Sequence, residues 1–580
     1  MGTTAPGMLM GSRKKNEITD PSVFIFTVEV TEADRTMSVP FEIFGAYSRD
    51  FGDVTVDWGD NLQTALLTAS KHAVTSSNRV HQYAKAGTYT VTIHCSENKI
   101  PLFSWNKYGV SKDASKVRSI DSSLPPVCYR GGIMAESFTV GLLKSCSKLV
   151  SIPEQLFIYN TDVTNFLSCF EDCSSLTTIP KELFARNTAA SDFSYCFQGC
   201  SSLTTIPKEL FANNTAASDF GYCFYGCSSL TTIPKELFAN NTAASDLSQC
   251  FRGCSSLTTI PEQLFANNTA VVNFEGTFQG CSTITAIPEN LFSTNTNSLY
   301  FSGCFLSCTS LQAIPEKLFY NNKSATNFIG CFYFCSLITT IPETLFTNNT
   351  AAVRFDAAFQ GCSALTTIPE NLFAHNIAVT NISYCFRDCS SLTAIPENLF
   401  AHNTAVTNFM YCFYGCSSLT AIPEKLFFNN TAATDFSACF YGCSSLTAIP
   451  QKLFANNTAV TYCYSCFYNC TSLKTIPEQL FANNTAVTDF NNCFAHCTKA
   501  QLNSLIFGSN YASRFSAVNS INFQACFYRD SYTGTSPGTA PPLWNFQFGS
   551  ATVTSTSVFG GPGNNATSLS NYAQIPAAWK

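Results

Sequence analysis

Apolar side chains recur with one fixed period through the middle of the chain. A representative unit, CFYGCSSLTAIPEKLFFNNTAATDFSA, runs from Cys412 to Ala438 and spans 27 residues. With Cys412 counted as position 1, the copies share Phe at position 2, Ile at position 11, Pro at position 12 and Leu-Phe at positions 15 and 16. Such a period predicts a solenoid, in which each unit buries its apolar face against its neighbours.

Spacing within the unit predicts two short helices and a strand. Positions 25, 1 and 5, exemplified by Phe409, Cys412 and Cys416, follow the i, i+3, i+7 pattern of one helical face. Asp or Asn at position 24 would cap this helix, positions 7–11 suit a strand, and Pro at position 12 would open a second helix. Asn at position 19 either ends that helix or forms a ladder of side-chain amides.

The stack of units is expected to be curved. Neighbouring strands lie closer together than packed helices do, so strands belong on the inner side of the bend. The sequence therefore predicts a right-handed, curved α/β solenoid of about fourteen coils over residues 146–497.

Residues 21–105 break the period and alternate apolar and polar side chains as β-strands do. The stretches VTVDWGD (54–60) and HQYAKAGTYTVTI (81–93) resemble polycystic-kidney-disease (PKD) domains, with Asn61 where a Gly is expected. The resemblance implies an all-β, Ig-like sandwich over residues 21–105, used as a spacer or a sugar-associated module.

Three further segments complete the predicted organisation. Residues 1–20 are expected to form a flexible N-terminal segment. Residues 106–145 are interpreted as a divergent first coil with Val117 and Ile120 in strand positions, and residues 498–580 as a C-terminal cap that loses the period after its last cysteine.

The motif FxGCSSLTxIPxxLF resembles the BspA-like leucine-rich repeats of bacterial surface proteins. It covers residues 146–497, although position 1 is Cys in most copies where Met is expected. The resemblance implies a leucine-rich-repeat-type solenoid that acts in adhesion or recognition and is not an enzyme.

Composition excludes several other classes of protein. Only 12% of the residues are charged and the net charge is −6 with no basic stripe, so a nucleic-acid partner is not expected. No apolar run is long enough to insert into a membrane, and the first twenty residues contain no apolar core of signal-peptide length. The 52 Phe and 23 Tyr residues are incompatible with a disordered chain.

The cysteines form two series at positions 1 and 5. The second series is unbroken from Cys146 to Cys497, whereas Thr277 and Ala358 interrupt the first. A side chain that Ala can replace fills space, so we expect buried, reduced packing thiols, with some disulfides as the alternative and no metal site. The C-x-x-C pair formed with Cys463, which stands where other copies have Phe, has the same packing interpretation.

No other pattern points to catalysis. Glu at position 13 alternates with Lys and Gln among the copies, which an ion ligand would not tolerate, and its place in a first helical turn is explanation enough. His81 is interpreted as structural. No nucleophile elbow, phosphate loop or HExxH motif occurs, so we predict no catalytic residue, metal or cofactor.

Tyrosines at positions 3 and 27 are the candidate ligand-binding residues. Position 3 varies from copy to copy and should face solvent, where a row of rings could stack on sugars or anchor a protein. The alternative is that the rings only shield the edge of each core. The candidates are Tyr225, Tyr333, Tyr414, Tyr441 and Tyr468 at position 3, with Tyr195, Tyr222, Tyr384 and Tyr411 at position 27.

The strand face is nearly uniform, with Thr-Thr or Thr-Ala at positions 9 and 10 except for Gln312 and Lys474. A face that reads one irregular ligand should vary more, so specificity is expected on the tyrosine side or in the flanking domains.

The predicted function is recognition of a glycan or protein on a cell surface, by a protein that faces the exterior of a bacterial cell. The alternative is a phage virion appendage, such as a tail fibre or receptor-binding protein, that carries the same repeats for host attachment. The missing leader distinguishes the two, because a virion part released by lysis needs none. In either setting the N-terminal domain is the expected contact to the rest of the surface or virion assembly.

Overall fold

The computed structural model describes residues 20–39, 53–62, 65–67, 80–96, 98, 105, 111–126, 141–512, 514–564 and 568–580. The predicted flexible segment, residues 1–20, lies outside the described residues except for Asp20.

The N-terminal part is an all-β domain with two antiparallel sheets. Its strands are β1 (Val23–Val30), β2 (Thr36–Ser38), β3 (Val54–Asp57), β4 (Ala65–Leu67), β5 (Val80–Gln82), β6 (Gly87–Cys95) and β7 (Val117–Ile120). One sheet has the order β4-β3-β6-β1-β7 and the other pairs β2 with β5. Alternate residues of β1 are buried, as the apolar alternation predicted.

Two details of this domain follow from its sequence. Asn61 has a φ of 60°, the left-handed conformation in which Gly is ordinarily preferred. The imidazole Nε2 of His81 lies 2.7 Å from Oδ2 of Asp60, and its ring stacks on Trp58, which fits the structural role predicted for it. The assignment of the domain to the PKD-like class stays a prediction.

Strand β7 joins the β domain to the solenoid. It follows the single-turn helix α1 (Ser111–Ala114) and pairs with β1, while Ser119 forms a parallel bridge to Ser151 of the first full coil. Val117 and Ile120, predicted as strand positions of a divergent coil, therefore lie in a strand that belongs to both units. Side chains reinforce the junction, because Glu29 on β1 binds both Arg118 and Lys148.

The prediction of two short helices in each unit is wrong. Positions 25–5 form consecutive β-turns, in which the Cys412 amide donates to the Phe409 carbonyl at 3.1 Å, and positions 13–18 also form turns. Tyr411 and Gly415 have φ of 56° and 70°, which no α-helix contains and which type II turns require. The α component of the predicted fold class is therefore absent from the described repeats.

Turns and helices share the burial pattern that prompted the error. Phe409, Cys412 and Cys416 are all buried, as predicted. In this run every second amide is left free by the turns, and it donates to the next coil: Tyr411 N–H binds the Ser437 carbonyl at 2.9 Å. The backbone thus satisfies its polar groups between coils rather than within a helix.

Position 24 carries the strand-like contact between coils. Parallel β-bridges connect this position in successive coils from Asn165 to Asn522. Its side chain accepts a backbone N–H, as the predicted helix cap would, but the bond closes an Asx turn and not a helix. Asp435 Oδ1, for example, accepts the Ser437 N–H at 2.7 Å. The strand predicted at positions 7–11 is wrong, because the described repeats have only isolated bridges there, such as that at Thr475.

The solenoid bends toward the side that carries positions 24–4. Between one pair of neighbouring coils, ring centroids lie 4.8 Å apart at position 27 (Tyr384 and Tyr411), 5.7 Å apart at position 2 (Phe359 and Phe386) and 6.2 Å apart at position 16 (Phe373 and Phe400). The distance between equivalent rings measures the local spacing of successive coils. Because this distance grows from position 27 to position 16, the coils are closest together at position 27 and farther apart on the opposite side. The inner side of the bend is therefore the turn run and not the predicted strand.

On the outer side, asparagine side chains connect coils whose backbones are farther apart. Asn322 at position 19 donates Nδ2–H to the carbonyls of Asn295 at 2.8 Å and Phe292 at 3.2 Å. The position-19 asparagines are absent from the positive-φ residues, so the structure shows the ladder alternative, with backbone carbonyls as acceptors.

The ladder continues into the segment predicted as a cap. Strands β8 (Ser520–Asn522) and β9 (Thr552–Thr554) are parallel, and inter-coil amide bonds extend to Gly560. One short 3-10 helix, Leu543–Asn545, lies between β8 and β9, and three more follow β9: Pro562–Asn564, Tyr572–Gln574 and Ala577–Trp579. The Trp579 ring lies beside Phe523 and Phe548 and covers the end of the core.

Candidate binding surface

The nine predicted tyrosines all lie on the inner side of the bend, and all are half-buried. Positions 27 and 3 of neighbouring coils are adjacent there, and we call these rings the tyrosine surface. Position 27 has positive φ throughout the described repeats, the conformation that the turns require there.

The structure divides these tyrosines into two clusters. The N-terminal cluster contains Tyr195 stacked on Tyr222 at 4.5 Å, with Tyr225 tilted against Tyr222 at 5.9 Å. Tyr333 belongs to neither cluster and packs edge-on against Phe334.

The C-terminal cluster contains five rings in contact, in two stacked sets that we call its columns: Tyr384 and Tyr411 at position 27, and Tyr414, Tyr441 and Tyr468 at position 3. A tilted contact between Tyr411 and Tyr414, at 5.5 Å and 41°, joins the two columns. Tyr414–Tyr441 and Tyr441–Tyr468 are separated by 4.4 and 4.5 Å with interplanar angles of 13° and 7°. Their faces therefore cover one another, and edges and hydroxyls are what remains to meet a ligand. Stacking a sugar on the interior rings, one of the predicted modes, would require this column to open.

Cations cap parts of both clusters. The Arg387 guanidinium lies 4.6 Å from the ring centroid of Tyr414 and also faces Tyr384 and Tyr411. Arg252 lies 5.3 Å from the ring of Tyr225. Cation–π contacts of this kind help to hold the rings in place. The Arg387 guanidinium is also paired with the carboxylate of Asp388 at 3.2 Å.

Three hydroxyls of the tyrosine surface, those of Tyr195, Tyr411 and Tyr441, have a raised pKa. Burial and the neighbouring Tyr414 and Tyr468 raise the pKa of Tyr441 to about 12. Burial, together with the adjacent Tyr222, raises the pKa of Tyr195 in the N-terminal cluster. The surface therefore offers neutral phenols that can donate and accept hydrogen bonds.

Carboxylates at position 24 accompany the N-terminal cluster. Asp192, Asp219 and Asp246 occupy successive coils, and burial is the main reason that the pKa of Asp219 is raised. Asp219 Oδ1 accepts the Gly221 N–H at 2.8 Å, so these groups shape the turns as well as the charge of the surface.

Sequence reasoning missed further aromatic residues on the side of the coils that carries the C-terminal cluster. Tyr462 and Tyr464, at positions 24 and 26, are 49% and 39% exposed, more than any of the nine candidates. His496 packs edge-on against Tyr468 and contacts Tyr528 in the same way. Tyr462 could have been found because it replaces the Asp or Asn that ordinarily closes the turn at position 24.

The cysteines lie in the core behind this surface. Every described cysteine is buried and free, and no group of His, Cys, Asp or Glu among the described residues is arranged to hold a metal ion. At position 5 the thiol donates to the preceding coil, as Cys416 Sγ does to the Phe386 carbonyl at 3.2 Å. Burial raises the pKa of the Cys254 thiol to about 12, which opposes thiolate chemistry.

The geometry defines the chain as a solenoid repeat protein with an N-terminal β domain. No protein-family model matches the chain, and no curated protein matches its sequence. In the part of the chain that the structure describes, no helix could span a membrane.

The solved structures that are similar to this chain include the following two. One is the Toll–Spatzle complex, described as a molecular hub in Drosophila development and innate immunity, with a TM-score of 0.30 and 13% identity over 60% of this chain and 52% of that chain. The other is the TLR13–ssRNA13 complex, with a TM-score of 0.17 and 12% identity over 65% of this chain and 85% of that chain. The chain spans about half the length of the first of these.

Proposed function

We propose that the protein is a non-catalytic recognition protein of the leucine-rich-repeat type that binds a cell-surface ligand through the tyrosine surface. The observation that carries this proposal is the C-terminal cluster, five rings in contact on the inner side of the bend, in which three neighbouring pairs stack and Tyr411 is tilted against Tyr414. The exposed Tyr462 and Tyr464 lie on the same side. Function in adhesion, as in the BspA-like surface proteins that the repeats resemble, is part of the proposal.

Pre-ordered aromatic rings suit recognition. Tyrosine is enriched among the residues that dominate binding energies, and little rotamer freedom is left to lose when the rings already stack. Arg387, held over three rings, adds a second residue type common at such centres.

Ring geometry favours a protein as the ligand of this surface. Sugars bind aromatic side chains mainly on the ring face, and in the Tyr414–Tyr441–Tyr468 column the facing ring surfaces are covered by the neighbouring ring. Edges, hydroxyls and the exposed Tyr464 can instead accommodate side chains and peptide groups of a protein partner.

Display on a bacterial cell or on a phage virion is the setting that we propose. The β domain shares β7 with the solenoid and is also held by Glu29, Arg118 and Lys148. A base fixed in this way would present the tyrosine surface in one orientation to the ligand.

The test removes hydroxyls and keeps the stack. In the variant Tyr414→Phe/Tyr441→Phe/Tyr468→Phe combined with Tyr464→Ser, binding of the labelled full chain to bacterial and mucosal cells should weaken about tenfold or more, the loss expected from about 1.4 kcal/mol. The matched control is Tyr320→Ser, an exposed tyrosine on the outer side, which should bind like the unmodified protein.

Equal binding of the four-site variant and the unmodified protein would refute the proposal. The Phe substitutions are chosen because Ser would remove stacked, half-buried rings and lower stability, which could be mistaken for lost binding.

A further inference from the structure

The solenoid carries a second regular surface, at positions 6, 7, 9 and 10. Position 9 is Thr in each coil from Thr177 to Thr447 except at Gln312, and these side chains are exposed. Positions 6 and 7 add mainly Ser, and position 10 is Thr or Ala. We call this surface the threonine band.

The hydroxyls of the band are held in one orientation. Oγ1 of Thr231 donates to the Thr204 carbonyl of the preceding coil at 3.4 Å, and Thr258 repeats this bond to Thr231 at 3.4 Å. Ser228 at position 6 does the same with Ser201 at 3.4 Å. At positions 6 and 9 of most coils the hydroxyl proton is thus used within the protein, and the oxygen presents lone pairs beside a methyl or methylene group.

The band is free of charge between two basic ends. No Asp, Glu, Lys or Arg occurs at positions 6–10 from residue 174 to residue 448. Lys148 precedes this stretch, and Lys474 and Lys499 follow it. A charged ligand therefore finds no partner along the band itself.

We propose that the threonine band binds a linear, uncharged polysaccharide laid along the solenoid, with successive sugars on successive coils. A surface that repeats the same acceptor oxygens and methyl groups in each coil matches a ligand that repeats the same unit. Fixed acceptors complement the many O–H donors of a polysaccharide, and methyl groups complement its C–H faces. Since the side chains are already ordered, binding loses little rotamer freedom.

The bend of the solenoid favours a polymer over a crystalline surface such as ice, which also repeats. The rise per coil changes from 4.8 to 6.2 Å across the coil, so rows of equivalent groups follow a curve. A polysaccharide can follow a curve by rotation about its glycosidic bonds, whereas a crystal plane cannot.

The threonine band and the tyrosine surface occupy different positions of the coil, so this inference does not depend on the proposed function. A polysaccharide on the band leaves the tyrosine surface open to its own ligand. Failure of either proposal leaves the other intact.

The test measures binding of cello-oligosaccharides and chito-oligosaccharides of increasing length to the full chain by calorimetry. We expect affinity for at least one series to rise with each added sugar, because each added unit contacts another coil. The variant Thr231→Lys/Thr339→Lys/Thr420→Lys should weaken binding about tenfold or more. Lys474 shows that position 9 accepts this side chain.

The matched control places the same substitutions at exposed position 20 of the same coils: Thr242→Lys/Thr350→Lys/Thr431→Lys. It should bind like the unmodified protein. Thr→Val at the three band positions, which keeps the shape and removes the oxygens, should also weaken binding and serves if the Lys variant fails to fold. Absence of binding by both series, affinity independent of length, unchanged binding of both band variants, or ice-crystal shaping in place of sugar binding would each overturn the proposal.

Discussion

Replacing one buried asparagine of the outer ladder should destabilise the solenoid far more than replacing its neighbour. Asn322 and Asn321 are adjacent, and each donates Nδ2–H to a carbonyl of the preceding coil. Asn321 bonds Ser293 at 2.7 Å from an exposed position, whereas Asn322 bonds Asn295 and Phe292 and is fully buried.

The expected magnitude follows from burial. Asn322→Ala removes two bonds to carbonyls that water does not reach, although each carbonyl keeps its turn bond. Oδ1 of Asn322 is itself buried without a partner among the described residues. Asn322→Ala also removes this unsatisfied oxygen, and its removal offsets part of the destabilisation. We expect a net loss of about 2 kcal/mol for Asn322→Ala and less than about 0.5 kcal/mol for Asn321→Ala, where water replaces the bond.

A third variant tests the chemistry of the site. Asn322→Asp keeps the size but aims a carboxylate at two carbonyl oxygens in a buried position, and should cost more than Asn322→Ala. The assay is urea unfolding of the full chain followed by circular dichroism, with midpoints and slopes compared because a long repeat array need not unfold in two states. Equal midpoints for Asn322→Ala and Asn321→Ala would show that burial does not set the strength of this ladder.

The remaining predictions concern the cysteines. Burial raises the pKa of thiols such as Cys254, Cys308 and Cys362 to about 12 in the folded protein. As the pH rises, the same thiols therefore ionise at a lower pH in the unfolded chain than in the folded one. Stability should therefore be full below about pH 8.5, the pKa of a free thiol, and fall steeply toward pH 12; a urea midpoint equal at pH 8 and pH 10 would contradict this. Thiol titration of the unreduced, denatured protein should find most of the 29 cysteines free; a count near one would show that the buried thiols had paired as disulfides.

The sequence by itself determined the period and the identity of the buried side chains. The position of Phe409, Cys412 and Cys416 in the core follows from recurrence alone, because a solenoid offers each copy the same environment. The side chain at position 24 was also anticipated as a backbone acceptor, since Asp and Asn favour turns and caps equally.

The tertiary structure decided the backbone conformation and the surface. A spacing of i, i+3, i+7 is common to a helix and to successive turns, and only contact with the next coil, which binds every second amide, selects the turns. The direction of the bend follows from that choice, because it places the closest inter-coil bonds at positions 24–4. The 4.4 Å stacking of Tyr414 on Tyr441 follows in turn, since equivalent rings approach most closely on the inner side of the bend, where the spacing between coils is smallest. One unit of sequence does not contain that spacing.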